Sequence, residues 1–187
     1  SGADLIDRNE HELTDEVLTV VEDHDSGIQV DEVQKEMLEG VIELPTTSAG
    51  EIMTPRTEVQ GLEVDSSLAH VSQMIIDQGH SRIPVYEESL DHIVGVLYAK
   101  DLIPFVSNGE DFELRSLLRD AFMVPESKSV RELLAEFKAQ KVHMAIVLDE
   151  YGGTAGLVTI EDILEEIVGE IQDEYERLEQ EPQIDEL

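Results

Sequence analysis

Apolar residues along this chain of 187 residues follow two spacings, a helical one and short unbroken runs. Leu13, Val17 and Val20 or Val21 fall three to four apart. Val30, Val33, Met37, Leu38, Val41 and Ile42 repeat the pattern after Asp25-Ser26-Gly27. They predict two acidic helices within residues 4–44, the second capped by Asp31 and stopped by Pro45. Further helices are predicted from Ser66 or Ser67 (Leu68, Val71, Ile75) to Gly79, and from Ser129 (Val130, Leu133, Leu134, Phe137). A last one follows Asp162, with Ile163, Leu164, Ile167, Val168, Ile171 and Tyr175 on one face. Strands are expected at Val59–Val64, Arg82–Tyr86, Ile93–Tyr98, Ala145–Leu148 and Ala155–Val158, the last two joined by a turn at Gly152-Gly153.

The pattern occurs twice. Gly95-Val96-Leu97-Tyr98-Ala99-Lys100-Asp101-Leu102 aligns with Gly156-Leu157-Val158-Thr159-Ile160-Glu161-Asp162-Ile163. Ile83–Tyr86 aligns with Ala145–Leu148, the helix from Ser67 with that from Ser129, and Met53-Thr54-Pro55 has an echo in Met123-Val124-Pro125. A period of about sixty residues, seen at several separate points, predicts two similar βαββα units in pseudo-twofold relation. The fold class is therefore α+β. The expected division is an acidic helical extension over 1–45, repeats over 46–108 and 109–172, and an acidic, proline-broken tail over 173–187, expected to be disordered.

Charge narrows the function. Twelve basic against 44 acidic side chains give a formal charge of −32, which repels nucleic acid. An anionic ligand needs a local set of donors that overcomes this field. The absence of cysteine excludes disulfides and thiolate metal sites. No apolar run reaches the roughly 20 residues of a membrane span. HExxH, nucleophile-elbow and P-loop signatures are absent, so a regulator is expected rather than an enzyme. Asp162, Glu166, Glu170, Asp173 and Glu174 repeat at helical spacing, which reads first as a solvated face and second as a Mg²⁺-sensing strip.

The chemistry concentrates where the last strand meets the last helix. Thr159 and Asp162, three residues apart, can turn a hydroxyl and a carboxylate toward one ligand, and the helix start favours an anion. The same pair can also simply cap the helix. In the first repeat Tyr98 replaces the threonine and Asp101 keeps the carboxylate, so a second site there is expected to be weaker or empty.

The segments EIMTPRTEV (Glu51–Val59), GHSRIPVYE (Gly79–Glu87), GVLYAKDL (Gly95–Leu102) and HMAIVLDEYGGTAGLVTIEDILEEIVGEI (His143–Ile171) resemble the tandem CBS pair, or Bateman module, of the CorC/HlyC family. That family, also called hemolysin-like, is associated with magnesium and cobalt efflux. The resemblance implies an adenine nucleotide (ATP, ADP or AMP) as regulatory ligand, with Mg²⁺ carried through its phosphates. By the same resemblance Asp162 accepts from the ribose hydroxyls beside Thr159. Thr57 and Val59 wall the adenine on one side, and His143, Met144 and Ala145 on the other. His80, Ser81 and Arg82 lie toward the phosphates, Arg82 being the permanent charge. It further implies an attached membrane domain reached through the N-terminal helices, a homodimer, and a place on the cytoplasmic face of the plasma (inner) membrane. The competing expectation is a structural dimerisation module whose pocket is unused.

Overall fold

The computed structural model describes Thr19, residues 31–108 and residues 111–169. Apart from Thr19, the first predicted helix lies outside these residues, as do Ile171, Tyr175 and the acidic tail. Two compact units are present, one from Leu44 to Ile163 and one that groups the described residues up to Glu43 with Leu164 to Gly169.

In the smaller unit, α1 (Glu32–Glu43) begins at Asp31, whose Oδ1 accepts from Gln34 N at 2.8 Å while Gln34 Oε1 accepts from Asp31 N at 3.0 Å. This reciprocal pair confirms the N-cap that the sequence placed there. Gly40 of α1 lies against the backbone of Ile167, where an added Cβ would come within 2.9 Å of Cα. Only a residue without a side chain lets two backbones approach so closely.

The larger unit opens with the short α2 (Ala49–Ile52), boxed by Ser48 and Glu51, and then β1 (Thr54–Pro55). The first repeat continues through β2 (Leu62–Glu63), α3 (Leu68–Gln78), β3 (Arg82–Glu87) and β4 (Ser89–Tyr98). A 3₁₀ turn at Ala99–Leu102 then leads into α4 (Ile103–Asn108). The second repeat has a 3₁₀ turn at Leu114–Leu117, β5 (Phe122–Pro125), α5 (Val130–Gln140), β6 (Met144–Leu148), β7 (Thr154–Thr159) and α6 (Ile160–Val168), which runs on past Ile163. Ser67 caps α3 and Gly79 closes it at φ 70°. Lys141 takes the same left-handed position after α5, at φ 55°.

Two sheets result, one ordered β2-β3-β4 and one ordered β1-β7-β6-β5. The first repeat's β1 thus belongs to the second repeat's sheet, antiparallel to β7 with Thr54 opposite Leu157. Reciprocally, Arg119 pairs with Val96 of β4. These cross-connections correct one sequence alignment. Pro125 ends β5, which lies parallel to β6 as β2 lies parallel to β3, so Met123-Val124-Pro125 corresponds to the β2 region. The counterpart of Thr54 is Arg119, because Val96 and Leu157 are equivalent partners. The expected strand Val59–Val64 also shrinks to Leu62–Glu63, since residues before it form turns at Glu58 and Val59.

Each repeat has its own buried core, such as Leu62, Val71, Ile83, Val85 and Leu97 in the first and Val130, Leu133, Phe137 and Ile163 in the second. A third cluster, Ile93, Val96, Met144, Ile146 and Leu157, joins the two sheets face to face. That shared layer ties the two sheets together beside a cavity where β3 begins and β7 ends.

Candidate functional site

β7 ends at Thr159, and the chain turns at once into α6. Asp162 Oδ2 accepts from both Thr159 N (2.6 Å) and Thr159 Oγ1 (2.8 Å), while Thr159 Oγ1 receives Asp162 N at 3.3 Å. Ile160 N donates to His143 O at 3.0 Å. The pair is therefore a complete helix cap without a ligand. Asp162 Oδ1 has no hydrogen-bond partner among the described residues, so one carboxylate oxygen remains for an outside donor.

This cap forms one wall of a cavity of about 410 Å³, within the range of small-molecule sites. The first repeat contributes Thr54, Glu58, Val59 and Gln60 from its entry, and Gly79, His80, Ser81, Arg82 and Pro84 from the turn into β3. The second contributes Met144, Leu157, Thr159, Glu161 and Asp162. The site belongs to both repeats because β1 crosses into the second sheet. Arg56 holds that crossing: its N–H donates to Ala155 O at 2.8 Å and its guanidinium pairs with Asp91. The Arg56 hydrogen bond, with help from Thr154 N–H, keeps the Asp91 carboxyl below the usual carboxylate range.

Arg82 is the cation in the cavity, and its charge is only partly used. Nη2 lies 3.0 Å from His143 Nδ1, Nη1 lies 3.9 Å from Glu161, and the buried Nε has no partner. An unsatisfied buried donor on a guanidinium costs free energy that an anion nearby would recover. Glu58 from the first repeat and Glu161 from the second also line the cavity, so an anion entering here meets both signs.

Of the residues singled out from the sequence, the structure brings Val59, His80, Ser81, Arg82, Met144, Thr159 and Asp162 together around this cavity. Three stand apart. Thr57 is exposed and does not line the cavity, which takes Glu58 and Val59 from the turn at Pro55–Val59 instead. Ala145 is fully buried, because strand alternation sends Met144 to the cavity and its neighbour to the core. His143 does not line the cavity but touches it through Arg82. Alternation would have found two of the missed residues: Pro84 shares a face with Arg82, and Leu157 with Thr159. Thr54 had no local signal.

The sister positions are engaged. Arg119 donates to Asp101 Oδ2 from Nη2 at 2.8 Å and from Nε at 3.3 Å. Its guanidinium carbon lies 3.9 Å from the centroid of the Tyr98 ring. No group of three or more potential metal ligands occurs among the described residues, which include Asp162 and Glu166 of the acidic strip but not its later members.

Residues 49–108 and 114–169 each match the CBS domain family. The magnesium and cobalt efflux protein CorC of Escherichia coli (strain K12) is 48% identical over 163 residues, covering 87% of this chain and 56% of that protein. The chain thus spans a little over half the length of that relative. The CBS domain of the bacterial CNNM/CorC family Mg²⁺ transporter superimposes with a TM-score of 0.75 at 43% identity, covering 87% of this chain and 98% of that one. The same kind of domain solved in complex with ATP matches at a TM-score of 0.69 and 46% identity, over 74% of this chain and 99% of the other.

Proposed function

Since the chain belongs to the CBS domain family, and within it to the CBS pairs of CNNM/CorC transporters, we propose that it is a regulatory domain that binds an adenine nucleotide and controls an attached ion-transporting membrane domain. The observation that carries this reading is the cavity that both repeats build around Asp162 and Arg82. Asp162 Oδ1 is free to accept from a ribose hydroxyl, Met144, Leu157 and Val59 offer apolar walls to a base, and the incompletely paired Arg82 faces phosphate. ATP, ADP and AMP all fit this donor set. Among them, the longer phosphate chains meet Glu58 and Glu161, and Mg²⁺ on the phosphates offsets that repulsion. The metal would then arrive as part of the ligand rather than on a protein cage.

The E. coli relative is named for magnesium and cobalt efflux; on the proposed reading, transport is the work of an attached membrane domain and this chain regulates it. No described helix is long and apolar enough to cross a membrane. The CBS pair would sit on the cytoplasmic face, where the nucleotide pool is. Binding ties Thr54 and Val59 of the first repeat to Thr159 and Asp162 of the second, and control requires that the nucleotide favour one of two arrangements of the module. The chemistry is binding without catalysis.

One observation favours a second reading, a structural module: the Thr159–Asp162 cap is complete without any ligand. Calorimetric titration of AMP, ADP and ATP, each with and without Mg²⁺, separates the two on the wild type and on Asp162→Asn. Asparagine keeps a capping oxygen but loses the charge. Saturable binding weakened about tenfold or more by the substitution supports the sensor, since a hydrogen bond to a charged group contributes about 1.5–3 kcal/mol. Flat titrations throughout leave the structural module standing.

A further inference from the structure

We propose that the first repeat holds a second nucleoside site that the chain keeps shut with its own Arg119, whose guanidinium lies on Tyr98 and Asp101 where an adenosine would lie. The inference rests on the nucleotide reading of the open cavity and extends it to the sister cleft.

The pseudo-symmetry identifies Arg119 as the occupant. Thr54 pairs with Leu157 next to Gly156, and Arg119 pairs with Val96 next to Gly95. Each glycine faces its partner's carbonyl: a Cβ on Gly156 would run into Thr54 O, and one on Gly95 would lie 2.8 Å from Arg119 O. Arg119 N and O exchange both backbone hydrogen bonds with Val96, at 3.0 and 2.9 Å. The two residues thus occupy equivalent places beside equivalent strands, Thr54 against β7 and Arg119 against β4. In the open site that place holds Thr54, a small side chain that leaves room at the cavity wall. In the sister site it holds an arginine.

The arginine takes both features that a nucleoside needs there. Its Cζ lies 3.9 Å from the Tyr98 centroid, well within reach of a cation over an aromatic face. Its Nη2 and Nε both donate to Asp101 Oδ2, the acceptor equivalent to Asp162. Arg82 and Lys100 stand 5.5 and 6.0 Å from the same ring. In a chain of 12 basic and 44 acidic side chains, three cations converge on one aromatic. With Arg119 removed, two remain to meet phosphates, while Tyr98 and Asp101 become free for base and ribose. An outside ligand must otherwise compete with a tethered group, whose effective concentration is of millimolar order or above. The wild type therefore binds one nucleotide per chain.

Calorimetry with ATP–Mg²⁺ and with AMP on Arg119→Thr, which copies the open site, tests this. The stoichiometry is expected to rise from one to two. In an Asp162→Ala background, which removes the open site, the same substitution is expected to raise it from zero to one. The Asp162-dependent event in Arg119→Thr reports that the variant is folded, and Arg119→Gln serves as a second variant. Two events in the wild type overturn the proposal. So does an unchanged stoichiometry in both Arg119 variants. A second event that appears only in Tyr98→Thr/Arg119→Thr also overturns it, because the tyrosine would then be the closure. Loss of the first event alone, with the Arg119-dependent one present, counts against the open-site reading and not against this one.

Discussion

Gly156→Ala tests whether the open site depends on the crossing of β1 into the second sheet. A Cβ at this position would collide with the Thr54 carbonyl and come within 2.9 Å of Met53 Sδ and 3.2 Å of Met53 Cγ. The methionine can rotate, but the carbonyl belongs to β1 and moves only with its strand. Relief to ordinary contact needs a shift of about 1 Å. That would lengthen the hydrogen bond from Arg56 N to Ala155 O, now 2.8 Å, past the limit of a useful bond. One or two backbone bonds at about 1 kcal/mol each, with overpacking strain of about 1–3 kcal/mol, give a loss of roughly 2–4 kcal/mol. The melting temperature should fall by roughly 10 °C. Because Thr54 lines the cavity, nucleotide affinity should fall with it, by about tenfold.

Gly95→Ala is the matching control. Its Cβ would lie 2.8 Å from both Arg119 O and Leu118 Cβ in the sister position, so stability should suffer to a similar degree. Affinity at the open site should change by no more than about twofold, a few tenths of a kcal/mol. Differential scanning calorimetry and nucleotide titration on both variants decide the matter. A Gly156→Ala protein within about 0.5 kcal/mol of the wild type, or equal losses of affinity in both variants, would refute the claim that β1 builds the site.

Other consequences are simpler to measure. Arg82→Ala should weaken ATP–Mg²⁺ by about tenfold or more while leaving adenosine nearly unaffected, which competition titrations would show; equal effects would remove phosphate from its role. Glu51 receives the Ser48 hydroxyl and the Ser48 N–H, which hold its carboxyl below its ordinary value of 4.5. Its contribution is present above pH 4.5 and lost as the pH falls through the lowered value. Urea midpoints of the wild type and Glu51→Gln should therefore differ at neutral pH and converge in acid, and a constant gap would contradict this. We also expect a homodimer formed through the apolar groove between α3 and α4, where Ile76, Ile103 and Val106 are 74, 64 and 64% exposed. Light scattering of Ile76→Asp should then show half the wild-type mass, whereas an unchanged mass would place the interface elsewhere.

What the sequence disclosed follows the range of the interactions involved. Thr159 and Asp162 were legible because a helix cap is local: both partners lie within three residues, and the duplicated pattern marks the junction twice. Met144 and Ala145 came as a pair from the resemblance, yet a strand presents only one of two neighbours to a given side. The crossing of β1 left no such trace. Thr54 meets Leu157 across more than a hundred residues, and only Gly156 hinted that something presses on that strand. The same blindness hid Arg119, a loop residue in no motif, and with it the reason why the sister cleft differs. In the sequence Tyr98 marks only the loss of the threonine hydroxyl. In the structure its ring meets the chain's own guanidinium, and that partner is set by a backbone pairing between repeats. Duplication therefore made the positions of both clefts readable, whereas the residue that enters each cleft from the other repeat was not. An open site and a closed one can arise from one ancestral plan through a single pair of positions, Thr54 and Arg119, that carry no catalytic or ligand signature of their own.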